Sequence, residues 1–433
     1  MELLMQAAQM KDHPMNNERI SLTCAERGEN HTGNQIKGVY REKGYSASDI
    51  EGMGTYFEKM TRANPKAKSL KDNNPSPVVS VLDLNVLSLN KTIDDLPDED
   101  QARLLIVRDW AKNTLNQPDF QKKVYEECTN CEWDAKYLDP NKYTITTNVN
   151  GQTIRTRGRV MNKKARQNIM FIKDETQEPS YSEGKGRIEN LRDRETLFNG
   201  LESLKGQLRE ALKQCGSDSE VGINVVEGNR YYDLKTTGIG FHGDTERVVV
   251  ICLTVGGGGN FPMRFQWFKD RMPIGKPIDL FLNDGDLYIM SHKAVGCDWK
   301  KGSKYTLRHA AGAKKYLSLA KWEKRAAKKA EAKKPAAKKT PAAKKTAEKV
   351  EAQPTSVASA PQPQYLNVLD TEIFTSVLVE VPENWKMEDK TINILMGQEF
   401  DDISVGEGGK HDLIGPIHIP TSKVKTYVLV NKK

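Results

Sequence analysis

Two side chains able to grip one cation stand two residues apart near the middle of the chain, His242 and Asp244, in the stretch Gly-Ile-Gly-Phe-His-Gly-Asp. Residues i and i+2 of an extended strand project from the same face, so this imidazole and carboxylate can act together. A second histidine would complete a two-His-one-carboxylate facial triad, a donor set that suits Fe(II) and leaves coordination positions open for reactants. Two histidines follow downstream. His292 comes directly after the apolar run Leu-Tyr-Ile-Met and one serine, and His309 sits in Leu-Arg-His-Ala-Ala.

The elements around the pair form an ordered series. Asn229-Arg230-Tyr231 lies upstream, Val-Val-Val-Ile-Cys-Leu-Thr-Val reads as the next strand, and Phe-Gln-Trp-Phe follows a glycine loop. Asp284-Gly285-Asp286 then turns into Leu-Tyr-Ile-Met, and Tyr-Thr-Leu-Arg-His-Ala-Ala-Gly supplies a closing strand. Over about 100 residues, 220–316, this order resembles the AlkB-like branch of the iron(II)/2-oxoglutarate-dependent dioxygenases. Its pattern is Asn-x-Tyr, His-x-Asp, a Gly-Asp turn into a strand, a distal histidine and a final strand ending in arginine. The resemblance implies that His242 and Asp244 bind Fe(II), that Asn229 and Tyr231 contact 2-oxoglutarate, and that the Thr306-Leu307-Arg308 strand carries the arginine for a cosubstrate carboxylate. A planar guanidinium suits that task because it can donate two parallel hydrogen bonds.

The chain departs from the pattern at the third iron ligand. Some AlkB-like demethylases place the distal histidine two residues after Asp-Trp, but Asp298-Trp299 is followed there by Lys301, which cannot coordinate while protonated. His292 precedes Arg308 by an interval that fits the family and leaves Lys304, Thr306 and Arg308 on one strand face for the cosubstrate. His309 is similar in context to the ligand strand of prolyl hydroxylases, although strict alternation turns it away from Arg308. The sequence leaves both open.

Other motifs fall away on inspection. Residues 238–243 match GxGxxG literally, yet a strand follows where a dinucleotide fingerprint needs a helix N-terminus to receive the pyrophosphate. Glycines 256–259 lack the Gly-Lys-Ser/Thr of a phosphate loop and read as a strand connection. Cys128 and Cys131 have no second pair at zinc-site spacing, so they read as ordinary thiols; six cysteines spread along 433 residues do not make a disulfide framework.

A chain of this length is expected to form two or three domains. Residues 1–75 are polar and read as poorly ordered. Residues 76–320 read as the dioxygenase domain, an α+β unit with a double-stranded β-helix (jelly-roll) core and flanking helices. Within it, apolar spacing at Ala102, Leu105, Ile106 and Trp110 predicts a helix, Asn150-Gly151 predicts a hairpin turn, and Leu197, Leu201, Leu204, Leu208 and Leu212 predict a helix stopped by Gly216. Residues 321–364 form a Lys/Ala/Pro-rich tract, read as a disordered linker and similar in composition to linker-histone tails, and 365–433 read as a small β-rich domain.

No apolar run approaches the roughly 20 residues of a membrane span. The N-terminus has no signal-peptide pattern, so an intracellular protein is expected, nuclear or nucleic-acid-associated in a eukaryotic host. The leading reading is a dioxygenase that hydroxylates or demethylates nucleic acid, with the basic tract of 321–350 and the run 155–168 tracking phosphates. The alternatives are a dioxygenase acting on protein or a small molecule, and a non-enzymatic nucleic-acid-binding protein on a decayed dioxygenase scaffold.

Overall fold

The computed structural model describes residues 17–332, apart from 34, 65–77, 89–90, 93–99, 148–152 and 258–260, together with four short strands between 377 and 431. The chain divides into two units, 1–319 and 320–433.

In the first unit β1 (Arg19–Ala25) is followed by a short ribbon, β2 (Arg27–Glu29) with β3 (Ile36–Gly38), and by helix α1 (Ala47–Ala63). Ser46 and Asp49 cap α1 reciprocally, each side chain accepting from the other's backbone N–H. Next come β4 (Val79–Asp83), the ribbon β5 (Val86–Ser88) with β6 (Lys91–Thr92), and β7 (Arg103–Val107). Helices α2 (Trp110–Leu115) and α3 (Phe120–Thr129) lead to a long two-stranded ribbon, β8 (Lys136–Thr147) with β9 (Thr153–Asn162). After β10 (Gln167–Ile172), β11 (Ile188–Asn190) and helix α4 (Glu195–Gln214), the remaining strands are β12 (Val225–Tyr231), β13 (Gly238–His242), β14 (Val250–Gly256), β15 (Phe261–Lys269), β16 (Met272–Leu282), β17 (Leu287–Met290) and β18 (Thr306–Gly312), with α5 (His292–Val295) between the last two.

These strands make an α+β architecture dominated by antiparallel pairing. One sheet has eight strands in the order β11-β10-β12-β1-β14-β17-β7-β4, and a second has four, β13-β18-β15-β16. From β12 onward the chain passes repeatedly between the two. Strand alternation then builds two cores. Ile20, Leu22, Ile251, Leu253 and Ile289 face the helices, where the leucine stripe of α4 and Ile50, Met53 and Phe57 of α1 cover them. On the opposite face Val250, Tyr288 and Met290 meet Met263, Phe265 and Trp267 of the small sheet. Gly216, at φ 72°, follows α4 in the left-handed region that lets the chain leave a helix.

Two expectations are corrected and a third, the ordinary thiols of Cys128 and Cys131, agrees with the structure. The N-terminal stretch is not poorly ordered where it is described: β1 lies between β12 and β14 with Ile20, Leu22 and Cys24 fully buried, because its alternating pattern fills an interior slot in the sheet. The predicted helix around Leu105 is strand β7 up to Val107. Leu104, Leu105, Ile106 and Val107 are all buried, since β7 runs between β17 and β4 with both faces covered, and helical periodicity cannot be told from a doubly buried strand. The Cys128-x-x-Cys131 thiols pack against the helix-side core as free cysteines.

The predicted hairpin pairs as β8 and β9, and its Asn150-Gly151 turn lies outside the described residues. In the second unit a helix spans Ala320–Ala332, and β19 (Val377–Val381), β20 (Asn393–Ile394), β21 (His411–Ile417) and β22 (Lys425–Asn431) form a sheet in the order β20-β19-β22-β21. The rest of the Lys/Ala/Pro tract, 333–364, lies outside the described residues. Among the described residues no helix is long and apolar enough to cross a membrane.

Candidate metal centre and its cavity

Antiparallel pairing of β13 with β18 sets His242 directly across from His309, beyond an irregularity in β13 that follows Ile239. The two imidazole rings are 4.4 Å apart, centroid to centroid. Asp244 joins them from just past the strand, its Oδ1 3.4 Å from His242 Nε2, and one donor atom from each of the three residues lies within 4.8 Å of the others. Gly243 sets that turn. A Cβ there would fall 2.1 Å from the carbonyl oxygen of Gly296, so the backbone can approach this closely only without a side chain. Asp244 N–H also donates to Val295 O at 3.1 Å, tying the turn to the end of α5.

The electrostatics at His309 and Asp244 favour a bound cation. Burial pushes His309 down to about 3, with His242 adding to the effect, so the ring is neutral at physiological pH. The Nδ1 of this imidazole is buried with no hydrogen-bond partner. A buried ring nitrogen with a free lone pair is a cost in an apo fold and an asset to a metal site. Burial opposes the Asp244 charge, but Arg247, His242 and His309 outweigh it and hold the carboxyl well below the usual carboxylate range. Two imidazoles, of which His309 is neutral, an ionised carboxylate and an orphaned Nδ1 together fit a divalent transition metal.

Behind Asp244 lies a buried ionic chain. Arg247, 3% exposed, sits 3.6 Å from Asp244 Oδ2 through its Nε, and its terminal nitrogen donates to both Glu227 and Glu246. Glu227, also 3% exposed, pairs with His31 Nε2 at 2.9 Å and accepts from Asn229 Nδ2 at 3.0 Å. Arg247 thus orients Asp244, and Glu227 holds Arg247.

The triad opens into a cavity of about 230 Å³. Asn229 and Tyr231 line it, as do Ser21 and Thr23 of β1, Arg166, and apolar residues of both sheets including Met263 and Tyr288. The other expected cosubstrate residues do not. Lys304 is exposed, Thr306 is buried outside the cavity lining, and the Arg308 guanidinium lies 4.0 Å from the Phe268 ring and 5.1 Å from Trp299. Alternation along β18 explains the correction: His309 and Ala311 face inward, which turns Thr306 and Arg308 to the other side. His292 is separate from the triad. Its Nδ1 accepts the Gly44 N–H at 3.0 Å and its Nε2 contacts Cys297 Sγ at 3.2 Å, so both ring nitrogens serve local structure.

Sequence reasoning passed over Glu227, Arg247, Arg166, His31, Ser21 and Thr23. The first was legible, since Glu227, Asn229 and Tyr231 share one face of a single strand. The β1 pair carries no local signal, because only long-range pairing brings residues 21 and 23 beside 227 and 229.

No family model matches the chain. Over 305 residues it is 32% identical to an uncharacterized protein of Acanthamoeba polyphaga mimivirus, an overlap that takes in 69% of this chain and 98% of the viral protein. With nearly the whole of that relative aligned, the chain belongs to the same family as the mimivirus protein.

Proposed function

We propose that this protein is an Fe(II)/2-oxoglutarate-dependent dioxygenase built on a jelly-roll core whose eighth strand comes from the N-terminal side of the chain. The observation that carries the reading is the His242–Asp244–His309 cluster at the head of a cavity between the two sheets. The strand order supports it. A jelly roll distributes eight strands over two sheets; β12, β14 and β17 in one, with β13, β15, β16 and β18 in the other, supply seven, and β1 occupies the slot between β12 and β14 where the eighth would return after β18.

Iron bound here would supply dioxygen activation coupled to 2-oxoglutarate decarboxylation, and with it oxidation of a substrate C–H bond. The chain's own residues supply the holding and the positioning. His242, Asp244 and His309 would hold the metal, with Arg247 fixing the carboxylate. Asn229 and Tyr231 would meet the cosubstrate, and Arg166 would take the place expected of Arg308, with Arg19 behind the cavity wall. Arg166 lines the cavity and donates from Nε to Asn229 Oδ1 at 2.6 Å. Arg19 shares the inward face of β1 with Ser21 and Thr23, lies 5.6 Å from the Phe261 ring of the cavity wall, and donates to Leu282 O at 3.3 Å.

The test is metal and cosubstrate binding by the full chain, read by Co(II) absorption and by titration of 2-oxoglutarate with Mn(II) present, together with succinate release under iron. His309→Ala should weaken metal binding at least ~100-fold, beyond what loss of an outer-shell partner does, whereas His292→Ala should leave it unchanged. A wild-type chain that binds neither metal nor 2-oxoglutarate, or one in which His292 and not His309 is required, refutes the reading.

A further inference from the structure

The β8–β9 ribbon belongs to neither large sheet, and among the described residues its strands pair only with each other. Along most of its length both faces are exposed, including Tyr143, Ile145, Ile154 and Val160. A lone two-stranded ribbon is marginal in water, and one that exposes apolar side chains along both strands offers a surface that can receive a partner. Charge says which. Between positions 136 and 166 the chain carries eight Lys or Arg residues and a single acidic one, Asp139. Cross-strand pairing of Tyr143 with Arg157 and of Ile145 with Arg155 puts cations and flat or apolar groups on one face, and the Arg155 guanidinium lies 3.7 Å from the Tyr143 ring centroid.

The root of the ribbon is fixed beside the cavity. Lys163, the residue after β9, donates from Nζ to Asn168 Oδ1 at 2.8 Å and to Asn30 O at 3.4 Å, next to His31 of the cavity wall. Arg166, three residues further on, lines the cavity itself.

We propose that the β8–β9 ribbon is an arm that binds single-stranded nucleic acid and leads it to the cavity mouth. Cations on the same face as an aromatic ring match a strand that offers phosphates and unstacked bases together. Binding by the arm needs no metal, so it can fail or hold independently of the dioxygenase reading.

The test uses the full chain, without metal, and a fluorescein-labelled single-stranded oligodeoxynucleotide, with anisotropy measured across a salt series. Losing two phosphate contacts in Arg155→Ala/Arg157→Ala should make the log–log salt slope shallower by about 1.4, which amounts to roughly 25-fold weaker binding at ~0.1 M salt. Tyr143→Ala should weaken binding roughly tenfold through lost stacking, with the slope unchanged. Because the substituted side chains face solvent, thermal midpoints should match wild type and separate lost binding from lost folding. Unchanged affinity in the arginine double variant would assign binding to the Lys/Ala tract and overturn the proposal. So would preference for duplex over single strand, or dimerisation through the ribbon with no nucleic-acid binding.

Discussion

Replacing Glu227 by glutamine keeps the shape of the side chain and removes its charge. In the wild type that carboxylate is 3% exposed and takes hydrogen bonds from Arg247, from Asn229 at 3.0 Å and from the Glu29 backbone at 3.3 Å, besides its pair with His31. Removing one partner of a buried ion pair costs ~3–5 kcal/mol. The lower end applies, because Arg247 keeps Glu246 at 2.6 Å and Asp244 at 3.6 Å. About 3 kcal/mol is therefore expected, or roughly 5 °C in the thermal midpoint of a unit spanning residues 1–319. Urea unfolding of the metal-free chain measures the loss directly.

Without Glu227 the guanidinium leans further on Asp244, so metal affinity should also fall, by ~10–100-fold as for other outer-shell changes. The two effects share one cause, and a cycle with Arg247→Met should return a coupling of at least ~1 kcal/mol. The pH dependence has a definite sign. Burial opposes the Glu227 charge, yet Arg247 and His31 hold its carboxyl well below the ordinary range. The stability it contributes is complete above the ~4.3 at which an unfolded glutamate titrates, and it declines as pH falls toward the lower folded value. The gap between wild type and Glu227→Gln should be full at neutral pH and should narrow in acid. A loss below ~1 kcal/mol with metal affinity unchanged would refute the proposed support of Asp244 by Glu227 through Arg247.

Three further outcomes follow from the same geometry. Gly243→Ala forces a Cβ to within 2.1 Å of Gly296 O, so the turn between His242 and Asp244 must shift and Co(II) affinity should drop by at least ~10-fold; wild-type affinity would show that the turn is not fixed by that contact. Leu22→Ala removes a fully buried side chain from the middle of β1 and should cost ~2–5 kcal/mol in urea unfolding, where a polar, loosely held N-terminus would lose nothing. His309, pushed down to about 3, is neutral when folded, so metal-free wild type should lose stability as pH falls from ~6.5 toward that value, and His309→Leu should lack this slope.

Local pattern carried a good part of the fold. The leucines of α4 recur at helical spacing with Gly216 as the stop, and the run Val250–Gly256 has the β-branched content of a buried strand, so each element follows from its own residues. Where a strand is covered on both faces, as at Leu104–Val107, no period distinguishes it from a helix, and only its neighbours β17 and β4 decide the matter.

The candidate site divides in the same way. His242 and Asp244 were legible through the ordered elements around them, although Asp244 joins His242 from a turn just past the strand and not from the strand itself. The choice between His292 and His309 was not, since it turns on which face of β18 looks inward and on the Gly44 and Cys297 contacts that engage His292. The sequence by itself determined the candidate pair His242 and Asp244, the shared face of Asn229 and Tyr231 on which Glu227 was legible but passed over, and the basic hairpin, all set by neighbours within a few residues. The tertiary structure alone decided which histidine lies beside the pair, the turning away of Arg308, and the entry of β1 from some 200 residues upstream to line the cavity with Ser21 and Thr23, because strand partners are selected by burial across the whole sheet and leave no mark in the local pattern of either strand.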